Sequence, residues 1–466
     1  VTQPIEQLRE RFAAFGQDHV FRFWERLAPA DRQALVRQAS GIDLGELQRT
    51  YRRTQSLADQ RSRKLEPVSV ETLPSRGGDP SRRAEARARG QELLSAGRVA
   101  ALVVAGGQGT RLGFDGPKGL FPIGPVSERT LFDLQAQKLR RARRRWNGSI
   151  PWYVMTSPAT DAATRAFFAE HDHFGLPRED VFFLCQSMVP SLDFEGRLLL
   201  DRPGHIFESP NGHGGAFSAL ADSGALADMT RRGIDTISYY QVDNPLAPVI
   251  DPLFVGLHAL AGAEMSVKVV RKLDPMEKVG VVAKIEGRIG VVEYTEIDDE
   301  HRQLRDADGN LVYWAGSIAL HGIDVRFAER VAEDAESLLP YHASAKKIPV
   351  LDDAGHTLHP AEPNGYKLER FLFDALSAAA HCTVLEVERE DEYAPVKNAE
   401  GNDSPDCARK ALDALARRWL TAAGLEVPRD VWVELDHARI DGEQDLRALG
   451  LHNLTHEAIR LVPREG

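Results

Sequence analysis

Cysteine is nearly missing from this chain of 466 residues, with three in all: Cys185, Cys382 and Cys407. An odd, sparse set with no metal-ligand spacing argues against a disulfide scaffold or a cysteine zinc site. It predicts a reducing compartment. An excess of positive charge is missing too. Lysine and arginine number 58 against 69 aspartates and glutamates, a formal net charge of −11. No overall basic surface is available to grip nucleic acid, and no nucleic-acid partner is expected. A local basic pocket can still take a phosphate. No apolar run approaches the ~18 residues of a membrane span, and the opening stretch VTQPIEQLRERFAAFG is charged and amphipathic, unlike a secretion signal. A cytoplasmic protein without membrane partners is expected. Internal repeats and long low-complexity segments are also lacking. The hydrophobic and charged fractions, 42% and 27%, suit a globular chain long enough for two or three domains.

Residues 1–55 read as helical and carry no evident chemistry. HVFRFWERLA sets Val20, Phe21, Trp24 and Leu27 at helical spacing, and PSRGGDPS marks a turn-rich linker before a helix that ends at Gly97. From Arg98 the pattern changes. The apolar runs VAALVVA, WYVMTS, DVFFLCQ and TISYYQV alternate with amphipathic helices, which predicts a mainly parallel sheet with helices on both faces. Residues 265–319 are strand-rich, with a hairpin at Glu286–Gly287 and an antiparallel or mixed extension of the sheet. YKLERFLFDAL reads as an amphipathic helix. RRARRR (140–145) lies on a helix without interleaved aromatics, so a solvated face is expected there.

AGGQGTRLG (105–113) follows the first buried strand. A dinucleotide loop is G-x-G-x-x-G with an acidic residue about 20 positions on. Here Gly107, Gly109 and Gly113 stand one residue too far apart, and no P-loop pattern is present. Glycines let backbone N–H groups approach phosphate oxygens. Arg111 offers a bidentate contact and Lys118, in GPKGL, a mobile charge. The loop therefore reads as a phosphate cradle with cations added. QVDNP places Asp243 at the carboxyl end of a strand, where a carboxylate can share Mg²⁺ with phosphates or simply cap the turn. ESPNGHGGAFSAL is a second glycine-rich stretch that opens a helix. VEYTE puts Glu293 and Tyr294 in an expected strand, and PVKNAEG puts Lys397 in a polar loop.

AGGQGTRLG, PKG, QVDNP, VEYTE and APVKNAEG, in this order and at these intervals, resemble the UDP-N-acetylglucosamine pyrophosphorylases of the UDP-sugar pyrophosphorylase family. FRFWERL, PWYVMTS, KKIP and PNGYKLERFLFD resemble it too. The likeness runs to about residue 415, leaving the C-terminal tail unmatched. It implies an α/β fold: a Rossmann-like, glycosyltransferase-A-like nucleotidyltransferase with a mixed sheet, a helical N-terminal region (1–97), a central catalytic domain (98–390) and a small C-terminal domain (391–466). It implies UTP and a sugar 1-phosphate as substrates, a UDP-sugar and pyrophosphate as products, and Mg²⁺ as cofactor. By the same resemblance, Val104, Ala105, Gly106 and Gly107 wrap the nucleotide, Gly109 and Arg111 lie near the β- and γ-phosphates, and Lys118 and Lys397 reach phosphate. Gln186 and Gly212 contact uracil, Asp243 holds Mg²⁺ and the α-phosphate, and Glu293 binds the sugar, with Tyr294 beside it.

Three departures concern the sugar. His213 stands where the acetylglucosamine enzymes carry asparagine, as in the UDP-glucose and broad-specificity enzymes. Trp314 and Ser317 replace asparagines, which alters the room and the polar partners for an N-acetyl group. N-acetylglucosamine 1-phosphate is the expected sugar, with glucose, galactose or a broad range as the alternative. An NAD-dependent oxidoreductase is disfavoured by the loop spacing, and a catalytically silent scaffold by the joint presence of Arg111, Lys118, Asp243 and Lys397.

Overall fold

The run Val99–Val104 alternates no polar residue because both of its faces are covered: five of its six residues are buried, as is all of Trp152–Thr156. These two strands pair in parallel, and Thr236–Gln241 and Val181–Cys185 extend the parallel block on either side. Ala315–Asp324 runs antiparallel to Thr236–Gln241 and to Met265–Arg271, so the ten-stranded sheet is mixed. The expected Rossmann-like α/β fold with a mixed sheet is what the chain forms. The structure is a computed structural model and describes residues 4–56, 63–451 and 453–463.

The chain divides into two compact units. The smaller takes Val1–Ser62, Ser187–Gly215 and Asp334–Asp374; the larger takes Arg63–Gln186, Ala216–Glu333 and Ala375–Gly466. In the smaller unit the helices Ile5–Ala14, Pro29–Ser40 and Leu44–Ser56 precede the short strands Leu192–Asp193, Tyr341–Lys346 and Gly365–Arg370, which form one antiparallel sheet. Leu8, Phe12, Leu35, Val189, Leu198 and Leu368 share its core. In the larger unit the helix Pro80–Ser95 crosses Pro252–Leu260 at Gly90 and Gly256. A Cβ on either glycine would strike the other helix's backbone, at Pro252 and Ala86 respectively. The C-terminal residues keep a small core of their own around Leu420, Val433, Leu435 and Ile440, beside the antiparallel pair Val431–Leu435 and Ile459–Pro463. Among the described residues no helix is long and apolar enough to cross a membrane.

Four local expectations are corrected. HVFRFWERLA folds as two 3₁₀ turns, Asp18–Phe21 and Trp24–Arg26, although Val20, Phe21 and Leu27 are buried as expected. YKLERFLFDAL is the strand Gly365–Arg370 followed by a 3₁₀ segment, because Tyr341–Lys346 pairs with it residue for residue and overrides its helical spacing. Glu293 and Tyr294 lie in a turn just past the strand Arg288–Val292, where the amides of Glu296 and Ile297 both donate to the Glu293 carbonyl. The arginine run is only in part a solvated face: Arg140, Arg144 and Arg145 are exposed, but the run is also engaged within the fold. Arg141 is buried, donates to the carbonyls of His437 and Ile440 and pairs with Asp441 at 2.8 Å. Arg143 pairs with Asp180 at 2.7 Å, Arg144 donates to the Ala438 carbonyl, and Arg145 lies 3.4 Å from Asp445. Arg141, Arg144 and Arg145 dock the C-terminal tail, and the partners lie too far along the chain for a local pattern to reveal them.

Candidate functional site

Two neighbouring parallel strands end side by side. Val104 is opposite Gln241, and the Val242 amide donates to the Val104 carbonyl at 3.1 Å. The glycine loop leaves the first strand and Asp243 leaves the second, both at the carboxyl edge of the sheet where α/β folds bind ligands. Ala105 is buried and its amide donates to the Met155 carbonyl.

Each glycine of the loop has its own reason. A Cβ on Gly106 would strike the Gln186 amide nitrogen, and one on Gly109 would lie 2.7 Å from the Phe114 ring. Gly107 faces open space, with nothing within 4 Å of a Cβ there. Its carbonyl accepts the Lys118 amide at 2.9 Å, and the Gly109 amide donates to Gly116 at 2.8 Å, so the loop folds back on itself and returns Lys118 to its base. The Ser157 hydroxyl donates to the Gly106 carbonyl at 2.7 Å. Gln186, buried beside it, leaves its side-chain carbonyl oxygen without a hydrogen-bond partner among the described residues. Arg111 sits in the 3₁₀ turn Thr110–Leu112, exposed and without an ion-pair partner among the described residues.

The Lys118 ammonium lies 3.4 Å from an Asp243 carboxylate oxygen and 3.4 Å from the Val396 carbonyl. The third member of the cluster is clipped on from the far end of the chain. The Val396 amide donates to the Asp243 carbonyl at 2.8 Å, while Asn244 accepts from the Ala394 amide at 3.1 Å and donates to the Glu392 carbonyl at 2.7 Å. Lys397 follows at once. Burial works against its charge, but Tyr393, Asp243 and Asp403 hold its pKa above the ordinary lysine value. The structure thus brings Gly107, Lys118, Asp243 and Lys397 together.

Several supporting residues escaped the sequence reading. Asn244 is one. Gln135 and Lys138 are others, buried on the helix Leu131–Trp146. Gln135 donates to the Val242 carbonyl at 3.0 Å, and Lys138 to those of Pro245 and Ala247 at 2.6 and 2.9 Å, fixing the loop that carries Asp243. Burial pulls the Lys138 pKa down to about 7. Lys268, 1% exposed, pairs with Asp251 and with Glu392 and anchors the short helix Arg389–Glu392 ahead of Lys397. Burial raises the Glu392 pKa against the pull of Lys268. Polar residues at apolar helix positions were the one available signal for Gln135 and Lys138.

Asp243 suits Mg²⁺. It offers a hard carboxylate oxygen, and Mg²⁺ takes one or two carboxylates with phosphate oxygens and water rather than an all-protein cage. Among the described residues no group of three or more His, Cys, Asp or Glu side chains stands together as a metal site.

The sugar candidates fall into two places. In the larger unit, Glu293 and Ser317 adjoin Gly280: a Glu293 carboxylate oxygen is 3.4 Å from a Cβ built there, and the Ser317 amide donates to the Gly280 carbonyl at 2.8 Å. Trp314 precedes the strand Ala315–Asp324. The Arg271 guanidinium covers its ring at 4.3 Å from the centroid and donates to Glu386 at 2.9 Å. Tyr294 is 39% exposed and its carbonyl accepts from Arg302. In the smaller unit, Gly212 (φ 74°) has no room for a side chain, since a Cβ would sit 2.6 Å from the Arg370 carbonyl oxygen. His213 accepts the Leu372 amide through Nδ1 at 3.0 Å and stacks on Phe371. Burial, aided by His342, pulls its pKa down to about 4, so the ring is neutral with its proton on Nε2.

Residues 47–404 match the model of a family described as UTP–glucose-1-phosphate uridylyltransferase. The chain is 39% identical over 435 residues to the human UDP-N-acetylhexosamine pyrophosphorylase-like protein 1, covering 90% of this chain and 86% of that protein. It is 36% identical over 445 residues to the UDP-N-acetylglucosamine pyrophosphorylase of Saccharomyces cerevisiae, covering 92% and 93%. The crystal structure of the Trypanosoma brucei uridine diphosphate N-acetylglucosamine pyrophosphorylase, solved with an inhibitor, superposes with a TM-score of 0.80 at 32% identity, over 90% of this chain and 86% of that one.

Proposed function

The chain belongs to the UTP–glucose-1-phosphate uridylyltransferase family, and on that footing we propose that it makes UDP-N-acetylglucosamine and pyrophosphate from UTP and N-acetylglucosamine 1-phosphate in the cytoplasm. It is an enzyme of uridylyl transfer; the choice of sugar and the residue roles are the proposal. The convergence of Lys118, Asp243 and the Lys397 segment beside the glycine loop carries the assignment of roles. The 36% identity to the yeast acetylglucosamine enzyme over nearly the whole of both chains supports the sugar.

The chemistry asks little of acids and bases. The sugar phosphate is anionic at neutral pH, and one of its oxygens attacks the α-phosphorus while the bond to the leaving pyrophosphate breaks in line. The protein's work is to place two anions together and offset their repulsion. Val104, Ala105, Gly106, Gly107 and Gly109 would shape the backbone face for the nucleotide. Arg111 and Lys118 would meet the departing phosphates, and Lys397 the transferred group. Gln186, with its unpartnered carbonyl oxygen beside Gly106, suits the N–H of uracil. Asp243 would hold Mg²⁺, which when bound neutralises phosphate charge. Glu293 and Ser317, each beside Gly280, are assigned to sugar hydroxyls, with Tyr294 and Trp314 flanking in sequence. For Gly212 and His213 we propose uracil contact and sugar discrimination.

His213, Trp314 and Ser317 also favour a second reading, preference for glucose or galactose 1-phosphate. Initial rates with UTP over a panel of sugar 1-phosphates separate the two. A kcat/KM at least tenfold higher for the N-acetylated sugar supports the first reading; the reverse order establishes the second.

A further inference from the structure

The C-terminal tail, which follows the last of the family-like motifs, reaches back to the loop beside the phosphate cradle. Glu434, on the strand Val431–Leu435, is 4% exposed. One of its carboxylate oxygens accepts the consecutive amides of Val126 and Ser127, each at 2.9 Å, and the other accepts the Ser127 hydroxyl at 2.5 Å. Arg460 stands 3.5 Å from the same carboxylate. Two adjacent amides converging on one oxygen form a small anion nest, here filled by the protein's own carboxylate. Gly124 has no side chain because a Cβ would come within 3.0 Å of that oxygen.

The gripped segment is the tip of a loop whose base adjoins the cradle. Ile123 and Gly124 both donate to the Arg129 carbonyl, and Leu131 donates to Phe121, so the two limbs are tied together. The Phe121 amide donates to the Lys118 carbonyl at 3.0 Å, and its ring meets Phe114 of the glycine loop edge-on at 5.6 Å. Arg409 holds the same limb through the Pro122 carbonyl at 2.9 Å. From Glu434 to Lys118 these hydrogen bonds follow one another along residues 118–131, with only short covalent steps of the two limbs between them.

We propose that Glu434 is a positioning residue for uridylyl transfer: by clamping the Val126–Ser127 tip it sets where Lys118 and the glycine loop meet the triphosphate. The proposal rests on the uridylyltransferase reading above. Glu434 touches no substrate; it acts through the loop. It gives the C-terminal tail a task beyond packing, and the arginines of the helix Leu131–Trp146 hold that tail in place.

The test uses the full chain with Glu434→Gln, Glu434→Ala and Ser127→Ala. Kinetics are normalised to folded protein, and UTP affinity is measured by titration calorimetry. Glu434→Gln is expected to raise both KM and Kd for UTP about tenfold and lower kcat about tenfold, leaving KM for the sugar phosphate within twofold. Ser127→Ala, which removes one of the three hydrogen bonds, is expected to move the same constants in the same direction by less. Should Glu434→Ala not fold, the other two variants carry the test. A drop in melting temperature with unchanged kcat and UTP constants per folded molecule would overturn the positioning role. A wild-type chain that makes no UDP-sugar would instead overturn the reading on which it rests.

Discussion

Arg111 and His213 show how differently a single side chain can be read. Arg111 stands exposed beside the cradle with no ion-pair partner among the described residues, so a structural role has little to recommend it. If it meets phosphate charge as pyrophosphate departs, Arg111→Ala should lower kcat by about 10²-fold, the usual loss for one charge-stabilising donor. KM for the sugar phosphate should change little, and steady-state kinetics with each substrate varied will show it. His213, by contrast, is held on both sides: Nδ1 accepts a backbone amide and the ring stacks on Phe371. Its pKa is lowered to about 4, mainly by burial. Between the ordinary histidine pKa and about 4, the unfolded chain binds a proton that the folded chain refuses. The folded state therefore loses stability as pH falls through that window, by no more than about 1.4 kcal/mol per unit. His213→Asn keeps an acceptor for the Leu372 amide and removes the titration. Denaturant midpoints should thus show the wild type losing ground to the variant from pH 6.5 to 4 and holding a constant offset above pH 7.

At the scale of elements, the clip between the Asp243 loop and the Lys397 segment is the joint most open to test. Asn244 is 4% exposed and makes two hydrogen bonds across it. Asn244→Ala leaves the half-buried Ala394 amide and Glu392 carbonyl without this partner, a loss of about 1–3 kcal/mol, and frees Lys397 to drift. Activity per folded molecule should fall at least tenfold; thermal melts alongside kinetics separate the two effects. That clip was not legible in the sequence, although both of its halves were. QVDNP and PVKNAEG advertise a strand-end carboxylate and a loop lysine, but nothing local says that residues 243–244 meet residues 392–396. The same limit explains the misread elements. The continuous apolar runs VAALVVA and WYVMTS fold as buried strands, as expected, while DVFFLCQ forms the edge strand Val181–Cys185, which is mostly half-buried. YKLERFLFDAL carries a helical spacing that loses to a strand partner some 20 residues upstream, and RRARRR carries charges whose partners lie at Asp180 and around residues 437–445. Short motifs state chemistry; long-range partners decide geometry.

For the whole molecule, the acidic balance and the cationic cradle stand together without conflict, since net charge bears on solubility and partners while local cations bear on binding. The fold was legible because alternating strands and helices leave few arrangements. The smaller unit was not, being assembled from three separated stretches that share a core only once folded. The account's central claim is that the cradle of Gly107, Lys118, Asp243 and Lys397 moves a uridylyl group from UTP to a sugar 1-phosphate. Phosphorus NMR of the protein with UTP, N-acetylglucosamine 1-phosphate and Mg²⁺ tests it most directly. The account predicts UDP-sugar and pyrophosphate appearing in equal amounts, with Lys397→Ala slower by about 10²-fold or more. Release of UDP and inorganic phosphate, or no turnover with any sugar 1-phosphate, would contradict it.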